Sequence, residues 1–347
     1  MIALDLFSGA GGMSLGADNV GIKILAAVEN EPNACQTFRK NFPHVRLSES
    51  DIRFFTPPTL PSQASIIFGG PPCQGFSTSN QKTRNIENRK NWMYSEFFRI
   101  VELACPEWVV FENVKGLLET EKGFFLSLIS SKLKSLGYSC NISSLNAKDF
   151  GVPQVRNRLF IVGNRRGKNF KFPIGKQKKV LTVREAVWDL PIVGNGASIS
   201  WLPYSREAQS AYAQKLRGEM VESPNNVVSK NAPYVVERYK YVKQGGNWED
   251  IPESLMTNYR DRTRCHTGVY HRLRWDAPSV VLGNFRKNML IHPSQHRGLS
   301  VREAARLQSF PDNFEFCGSI GFQQQQVGNA VPPLLAAAVF QNIINAC

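Results

Sequence analysis

Among the 347 residues no apolar run approaches the roughly 18 that a membrane span needs. There is no C-x-x-C pair either. The seven cysteines stand apart, at 35, 73, 105, 140, 265, 317 and 347. An odd, scattered set argues against a disulfide framework and against a zinc site. No basic segment leads into an apolar stretch at the N-terminus, and Asp5 sits where a signal peptide would carry its apolar region. Low-complexity segments and repeat arrays are missing as well. The expectation from these absences is a soluble, cytoplasmic chain with no metal site. Hydrophobic residues make up 42% of it, enough for a large core and too many for global disorder.

What the chain does have is positive charge, unevenly placed. Residues 1–150 hold 15 Lys+Arg against 14 Asp+Glu, whereas residues 151–347 hold 27 against 14. A neutral front half and a basic back half suggest that the back half meets a polyanion. A merely solvated surface is the plainer alternative. Confinement of the excess to one half favours nucleic acid.

Short apolar runs alternate with helical patterns through the first half, which predicts βαβ units and a parallel sheet. Strands are expected at Ile2–Phe7, Ile22–Glu29, Ser65–Phe68, Trp108–Glu112 and Leu159–Gly163. Helices are expected at Met13–Ala17, Glu31–Asn41, Trp92–Cys105 and Phe124–Leu136, the last stopped by Gly137. A basic, loop-like stretch near residue 165 marks a boundary. Periodicity is weak from about 190 to 298. Order returns at SVREAARLQSF, where Ser300 and Glu303 are spaced as a capping box, an arrangement repeated in TVREAVWDL at 182. A last helix starts at Pro332 and Pro333.

Three stretches carry chemistry. The first is DLFSGAGG, Asp5 to Gly12, a strand running through glycines into a helix. Such a turn brings backbone close to a ligand. It fails the dinucleotide fingerprint, because Ser14 stands where the third glycine belongs. Glu29 and Asp51 end the next two segments. Carboxylates there can take ribose hydroxyls or an adenine amino group, or can simply be solvated strand ends. The second stretch is GGPPCQGFS, residues 69–77. Pro71 and Pro72 fix the backbone, and Gly69, Gly70 and Gly75 allow close approach. The neighbours of Cys73 are Pro, Gln and Gly, so a thiolate nucleophile is a better reading than a buried structural cysteine. The third is FENV, where Glu112 leaves a buried strand. Burial favours the protonated acid, and sheet order could set it beside Cys73.

DLFSGAGG, GGPPCQGFS, FENV, QVRNR, REAARLQSFPD and GNAVPP resemble, in this order, the motifs of the DNA cytosine-5 methyltransferases of bacterial restriction–modification systems. The resemblance covers residues 4–163 and 300 to about 340 and matches nothing in the middle. It implies an α/β fold: a Rossmann-like S-adenosylmethionine-dependent methyltransferase sheet with a second, smaller, irregular DNA-recognition domain. The implied division is a catalytic and cofactor-binding domain over 1–180, a target-recognition domain with a hinge over 181–319, and a segment 320–347 returning to the catalytic domain.

By the same resemblance Cys73 is the nucleophile that adds to cytosine C6, and Glu112 holds the N3 edge. Arg158 contacts the base O2 and the catalytic Glu, and Arg156 binds near the cysteine or the phosphate. Phe7, Ser8, Gly9, Ala10, Gly11, Gly12, Glu29, Asn30, Asp51, Ile52, Pro71, Met93, Asn329 and Val331 would hold S-adenosyl-L-methionine. The target base lies inside the stack and must be flipped out. Arg260, Arg262, Arg264, Arg272, Arg274, Arg286 and Lys287, set among aromatics, are candidate DNA contacts, to base edges or to phosphates. The implied partner is double-stranded DNA, met by a monomer, with a cognate restriction endonuclease acting on the same site. A nicotinamide oxidoreductase would not need GPPCQGF. An amino-group methyltransferase would carry Asp or Asn before Pro-Pro, where this chain has Gly70. A tRNA cytosine methyltransferase of related fold, or an inactive DNA-binding relative, remains as the alternative.

Overall fold

A computed structural model describes residues 1–72, 93–118, 123–175, 179–257, 268–283, 285 and 289–347. It resolves into two compact units. The first comprises Met1–Phe150, Asn157–Lys176 and Val331–Cys347; the second comprises Gly151–Arg156 and Gln177–Ala330.

The first unit is built on a seven-stranded sheet. Its strands are β1 (Ile2–Leu6), β2 (Lys23–Glu29), β3 (Arg46–Glu49), β4 (Ser65–Gly69), β5 (Trp108–Val114), β6 (Ser139–Asn146) and β7 (Asn157–Asn164). Their spatial order is β3-β2-β1-β4-β5-β7-β6. The first five are parallel, while β7 runs antiparallel to both β5 and β6. The sheet is therefore mixed, with the expected parallel part as its larger share. β6 reads SCNISSLN and is largely exposed. An edge strand with so few apolar residues leaves no periodic signal, and the sequence reading passed over it.

Central strands read as near-continuous apolar runs because both faces are covered. Ile66, Ile67, Phe68, Val109, Val110 and Phe111 are all buried. Three helices on the covered faces are α1 (Gly12–Asp18), α2 (Pro32–Asn41) and α3 (Tyr94–Ala104). Helix α2 begins as its sequence predicts. Pro32 occupies the first turn, and the Glu31 side chain accepts the Ala34 amide at 2.7 Å. Helix α3 buries Phe97 and Phe98, and Phe97 meets Phe111 edge-on at 5.2 Å. Helix α4 (Phe124–Ser135) turns Phe125, Ile129 and Leu133 inward. Full burial of each such side chain contributes about 1.5–3 kcal/mol.

The second unit holds short helices: α5 (Val183–Val187), α6 (Ala211–Arg217), α7 (Pro233–Tyr241), α8 (Val301–Leu307) and α9 (Ile320–Asn329). It also holds a two-residue strand pair, β8 (Leu202–Pro203) with β9 (Glu222–Ser223). Both expected capping boxes form, at Thr182 with Glu185 and at Ser300 with Glu303. Its interior is unusually ionic. Arg306 bonds Asp189 and Asp312, and Arg297 bonds Glu303 through both terminal nitrogens. Helix α10 (Pro333–Asn345) belongs to the first unit and packs on α1. The stretch Ile320–Asn345 has the length and mean hydropathy (1.4) of a membrane span, but 56% of its most apolar window is buried, and the helix breaks between Asn329 and Pro333.

Candidate active site

All five parallel strands end at one edge of the sheet, and each of them delivers a candidate residue there. β1 leads into Phe7–Gly12, β2 ends on Glu29, β3 precedes Asp51, and β4 leads into Gly70–Pro72. Glu112 lies near the end of β5, one residue beyond the partner of Gly69. The chain order steps outward from β1 to β2 and β3, then returns to β4 on the other side. Ligands of open α/β sheets bind at such a switch point, beyond the carboxyl ends of the strands.

The turn after β1 is shaped for close approach. Gly9 and Gly11 take φ of +55° and +95°, and Phe7 takes +60° although it is not glycine. A β-carbon on Gly11 would collide with the Phe42 ring, whereas one on Gly9 would meet nothing within 4 Å. Open space therefore faces Gly9. The Ser8 hydroxyl oxygen is buried without a hydrogen-bond partner among the described residues. An unsatisfied hydroxyl beside an open backbone fits a polar ligand group. Ala10 and Gly12 are buried behind it.

Glu29 closes this turn from the next strand. One carboxylate oxygen accepts the Gly9 amide at 2.8 Å, and the other accepts the amides of Asn30 and Glu31 at 2.8 Å each. Asp51 accepts the amide of Arg53 at 2.9 Å and its guanidinium at 2.7 Å, so Arg53 holds its carboxyl below the usual range. Ile52 is buried next to it, and Arg99 donates to the Ile52 carbonyl at 2.7 Å. Met93 packs against the core as a half-buried apolar group.

Sequence reasoning missed a pair beneath this turn. The Ser14 hydroxyl of α1 donates to Asp5 on β1 at 2.5 Å, and both side chains are buried. Burial, with Glu29 adding repulsion, pushes the Asp5 carboxyl up to about 8. Ser14 had registered only as a failed glycine. Its actual work is to tie the first turn of α1 to the strand below.

At β4 and β5 the glycines have direct reasons. A β-carbon on Gly69 would collide with the Leu6 carbonyl, and one on Gly70 would stand 2.6 Å from Glu112 Oε2. Thus Gly70 lies against the carboxylate itself. The Asn113 amide donates to the Pro71 carbonyl at 3.3 Å, tying FENV to the proline turn. Arg158 opens β7 opposite Val114, diagonal to Glu112 on the same face. Its Nε meets Glu112 Oε1 at 2.9 Å, with both side chains about nine-tenths buried. An antiparallel β7 is what returns an arginine to this edge. Cys73 follows Pro72 directly in sequence and lies outside the described residues.

Three comparisons bear on this geometry. The family model for C-5 cytosine-specific DNA methylase matches residues 1–345. The chain belongs to that family. Among curated relatives, Type II methyltransferase M1.HphI of Haemophilus parahaemolyticus is 37% identical, over 98% of this chain and 86% of that protein. M.DdeI of Desulfomicrobium norvegicum is 31% identical, over 99% and 88%. A solved structure described as a DNA modification methyltransferase encoded within an E. coli prophage aligns with a TM-score of 0.79 at 25% identity, over 99% of each chain. A methyltransferase of Entamoeba histolytica aligns at 0.63 with 14% identity and shares the fold. The protein is a DNA cytosine-5 methyltransferase of the Type II restriction–modification kind.

Four of the residues expected to touch DNA or substrate, Arg156, Arg158, Arg272 and Arg274, fall within the described residues. Arg272 is 3% exposed and donates to the carbonyls of Val242, Tyr239, His292 and Gln295. Its hydrogen-bonding capacity is committed inside the second unit. Arg274 is exposed and pairs with Asp276 at 2.8 Å. Arg260, Arg262, Arg264, Arg286 and Lys287 lie outside the described residues. Arg156 is 1% exposed and donates to the carbonyls of Leu282, Gly328 and Ala330, all in the second unit. Asn329 is exposed in that unit, and Val331 is buried in the first.

Proposed function

We propose that this methyltransferase modifies a flipped-out cytosine in a specific double-stranded DNA sequence through a covalent bond between Cys73 and C6. The observation that supports the reading most is the Arg158–Glu112 pair, set against Gly70 in the turn that leads to Cys73. Cytosine C5 is a poor nucleophile. Addition of the Cys73 thiolate to C6 makes C5 enamine-like, and Glu112 at N3 stabilises that change by sharing a proton with the ring. Arg158 fixes the Glu112 carboxyl and presents donors to the base O2. Once C5 carries the methyl group, loss of the C5 proton and departure of the thiolate from C6 restore the aromatic ring and free the enzyme.

The methyl donor in this reading is S-adenosyl-L-methionine. The open face of Gly9 and the Ser8 hydroxyl, unpartnered among the described residues, fit such a ligand. Phe7–Gly12, Glu29, Asn30, Asp51, Ile52, Pro71, Met93 and Val331 would hold it, with Asn329 carried over from the motif resemblance. When bound it supplies an electrophilic methyl group. Glu29 orients the turn, and Asp51 presents an acceptor at the adjacent strand end. The wider reading is protection of host DNA, in the cytoplasm, from a nuclease acting on the same site.

The test is a duplex with 5-fluorocytosine at the target, incubated with S-adenosylmethionine. Fluorine blocks the final proton loss, so a DNA adduct should accumulate on the peptide bearing Cys73. Cys73→Ala should give no adduct and no methyl transfer while still binding DNA. Product formation by that variant would overturn the nucleophile assignment. Offering labelled S-adenosylmethionine with DNA or tRNA separates the two substrates.

A further inference from the structure

Three segments of the second unit bring two arginines and two tryptophans together. Arg184 lies in α5, and Trp188 follows the end of that helix, one turn further on. Arg206 comes from the stretch that precedes α6, and Trp275 from a turn. Hydrogen bonds hold the segments to one another. The Arg184 amide donates to the Trp275 carbonyl at 3.1 Å, and the Val183 amide to that of Ala277 at 2.9 Å. The Ser205 hydroxyl, next to Arg206, donates to the Leu190 carbonyl at 2.8 Å.

The two indoles meet edge-on, with ring centres 5.2 Å apart. The guanidinium carbon of Arg184 lies 4.4 Å from the centre of Trp188 and 5.4 Å from that of Trp275. That of Arg206 also approaches Trp188, at 4.2 Å. One indole thus carries two cations. Both arginines are exposed, whereas both tryptophans are half-buried.

Stacking occupies the face of a guanidinium and leaves the N–H donors in its plane available. It also narrows the rotamers each arginine samples, so less freedom is lost when an acceptor arrives. Among the described residues neither guanidinium is paired with a carboxylate. Their one side-chain hydrogen bond among those residues is the 3.4 Å contact from Arg206 to the Ser205 hydroxyl. Acids close by in the chain are matched by other cations: Glu185 by Lys179 at 3.0 Å, Glu207 by Arg217 at 4.0 Å and Asp276 by Arg274 at 2.8 Å. Two cations held at one ring repel each other, and an anion that meets both sets of donors removes that repulsion. A pair that only solvated the surface would need no such platform.

We propose that Arg184 and Arg206, braced by Trp188 and Trp275, bind backbone phosphate of the DNA substrate and add affinity without reading sequence. The proposal rests on double-stranded DNA being the substrate. DNA is the polyanion on which this family acts, and a guanidinium fork matches the paired oxygens of a phosphate. Neither arginine falls within the motifs that the chain shares with its family, so the contact belongs to this chain's own second unit.

The test measures the Kd of the full chain for two labelled duplexes of unrelated sequence over a range of salt, by fluorescence anisotropy. Each phosphate neutralised contributes about 0.9 to the slope of log K against log salt. Arg184→Gln and Arg206→Gln should each flatten the slope by about that amount, and the double variant by about twice as much, equally on both duplexes. Arg206 comes from a separate segment, so its variant keeps the test open if Arg184→Gln fails to fold. Lys171→Gln removes another exposed charge, in the first unit, and should leave the slope at the wild-type value. Wild-type slopes in the double variant would overturn the proposal and leave an acidic protein surface as the partner that the patch fits. Equal flattening by Lys171→Gln would also overturn it, by reducing the effect to net charge. A loss confined to one duplex would replace phosphate binding with base reading. Failure of the wild type to bind either duplex would instead sink DNA as the substrate.

Discussion

Glu112 and its contacts show how one carboxyl can be positioned from three directions. Arg158 holds one oxygen, Gly70 lies against the other, and Asn113 ties the adjoining strand to Pro71. Glu112→Gln keeps the shape and removes the exchangeable acid. Methyl transfer should slow by roughly 10²–10⁴-fold, the usual share of a positioned acid. Single-turnover transfer to labelled DNA measures this, and a wild-type rate would remove Glu112 from the mechanism. Asp5 makes a different prediction. Its folded value of about 8 lies far above its ordinary 3.8. Between those two values the folded protein keeps a proton that the unfolded chain has lost. Stability should therefore fall with rising pH across that window, by up to roughly 1.4 kcal/mol per pH unit from this group, and level off above it. Asp5→Asn mimics the protonated acid, so denaturant titrations from pH 6 to 9 should show a shallower decline than the wild type.

Elements whose strand or helix patterns were strong could be read directly. β1, β2, β4, β5 and β7, and helices α2 and α4, stand close to where alternation, Pro32 and Gly137 put them. The turn after β1 and the β4–β5 contact were legible because glycine and proline leave few other uses. β6 was hidden because an exposed edge strand needs no apolar pattern. The second unit was hidden because Arg272, Arg297, Arg302 and Arg306 do interior work that hydrophobic side chains do elsewhere, and such residues look like surface in a sequence. Asp5 was missed for the same reason. Helix packing supplies a prediction at this scale. A β-carbon on Gly16 of α1 would stand 2.5 Å from the Ala336 β-carbon and 2.8 Å from the Pro333 carbonyl. Gly16→Ala should therefore cost about 1–3 kcal/mol as an overpacked contact. A thermal midpoint equal to wild type would show that α10 yields freely.

Across the whole molecule the net charge is +14, and burial among the described residues does not reduce it. Arg156, Arg238, Arg272, Arg297, Arg302 and Arg306 are each no more than 4% exposed, and Asp5, Glu107, Glu112, Asp189, Glu303 and Asp312 are buried as well. The remaining surface is still cationic, which suits a phosphate backbone. DNA affinity should fall steeply with salt. A protein that neutralises about six phosphates loses roughly 10³-fold between about 50 and 200 mM. Fluorescence anisotropy with a labelled duplex gives the slope, and a flat response would remove the electrostatic clamp.

Helix α10 covers α1, and Phe340 lies 4.9 Å from Phe68 of β4. Partners from opposite ends of the sequence thus share one hydrophobic layer, with the whole second unit threaded between them. The entropic cost of closing so long a loop grows only slowly with its length, but such distant contacts are slow to form in folding. During synthesis the glycine turn would emerge early and wait, its rear wall still unmade, until the final helix arrives. Competence to modify DNA would then wait on the synthesis of α10.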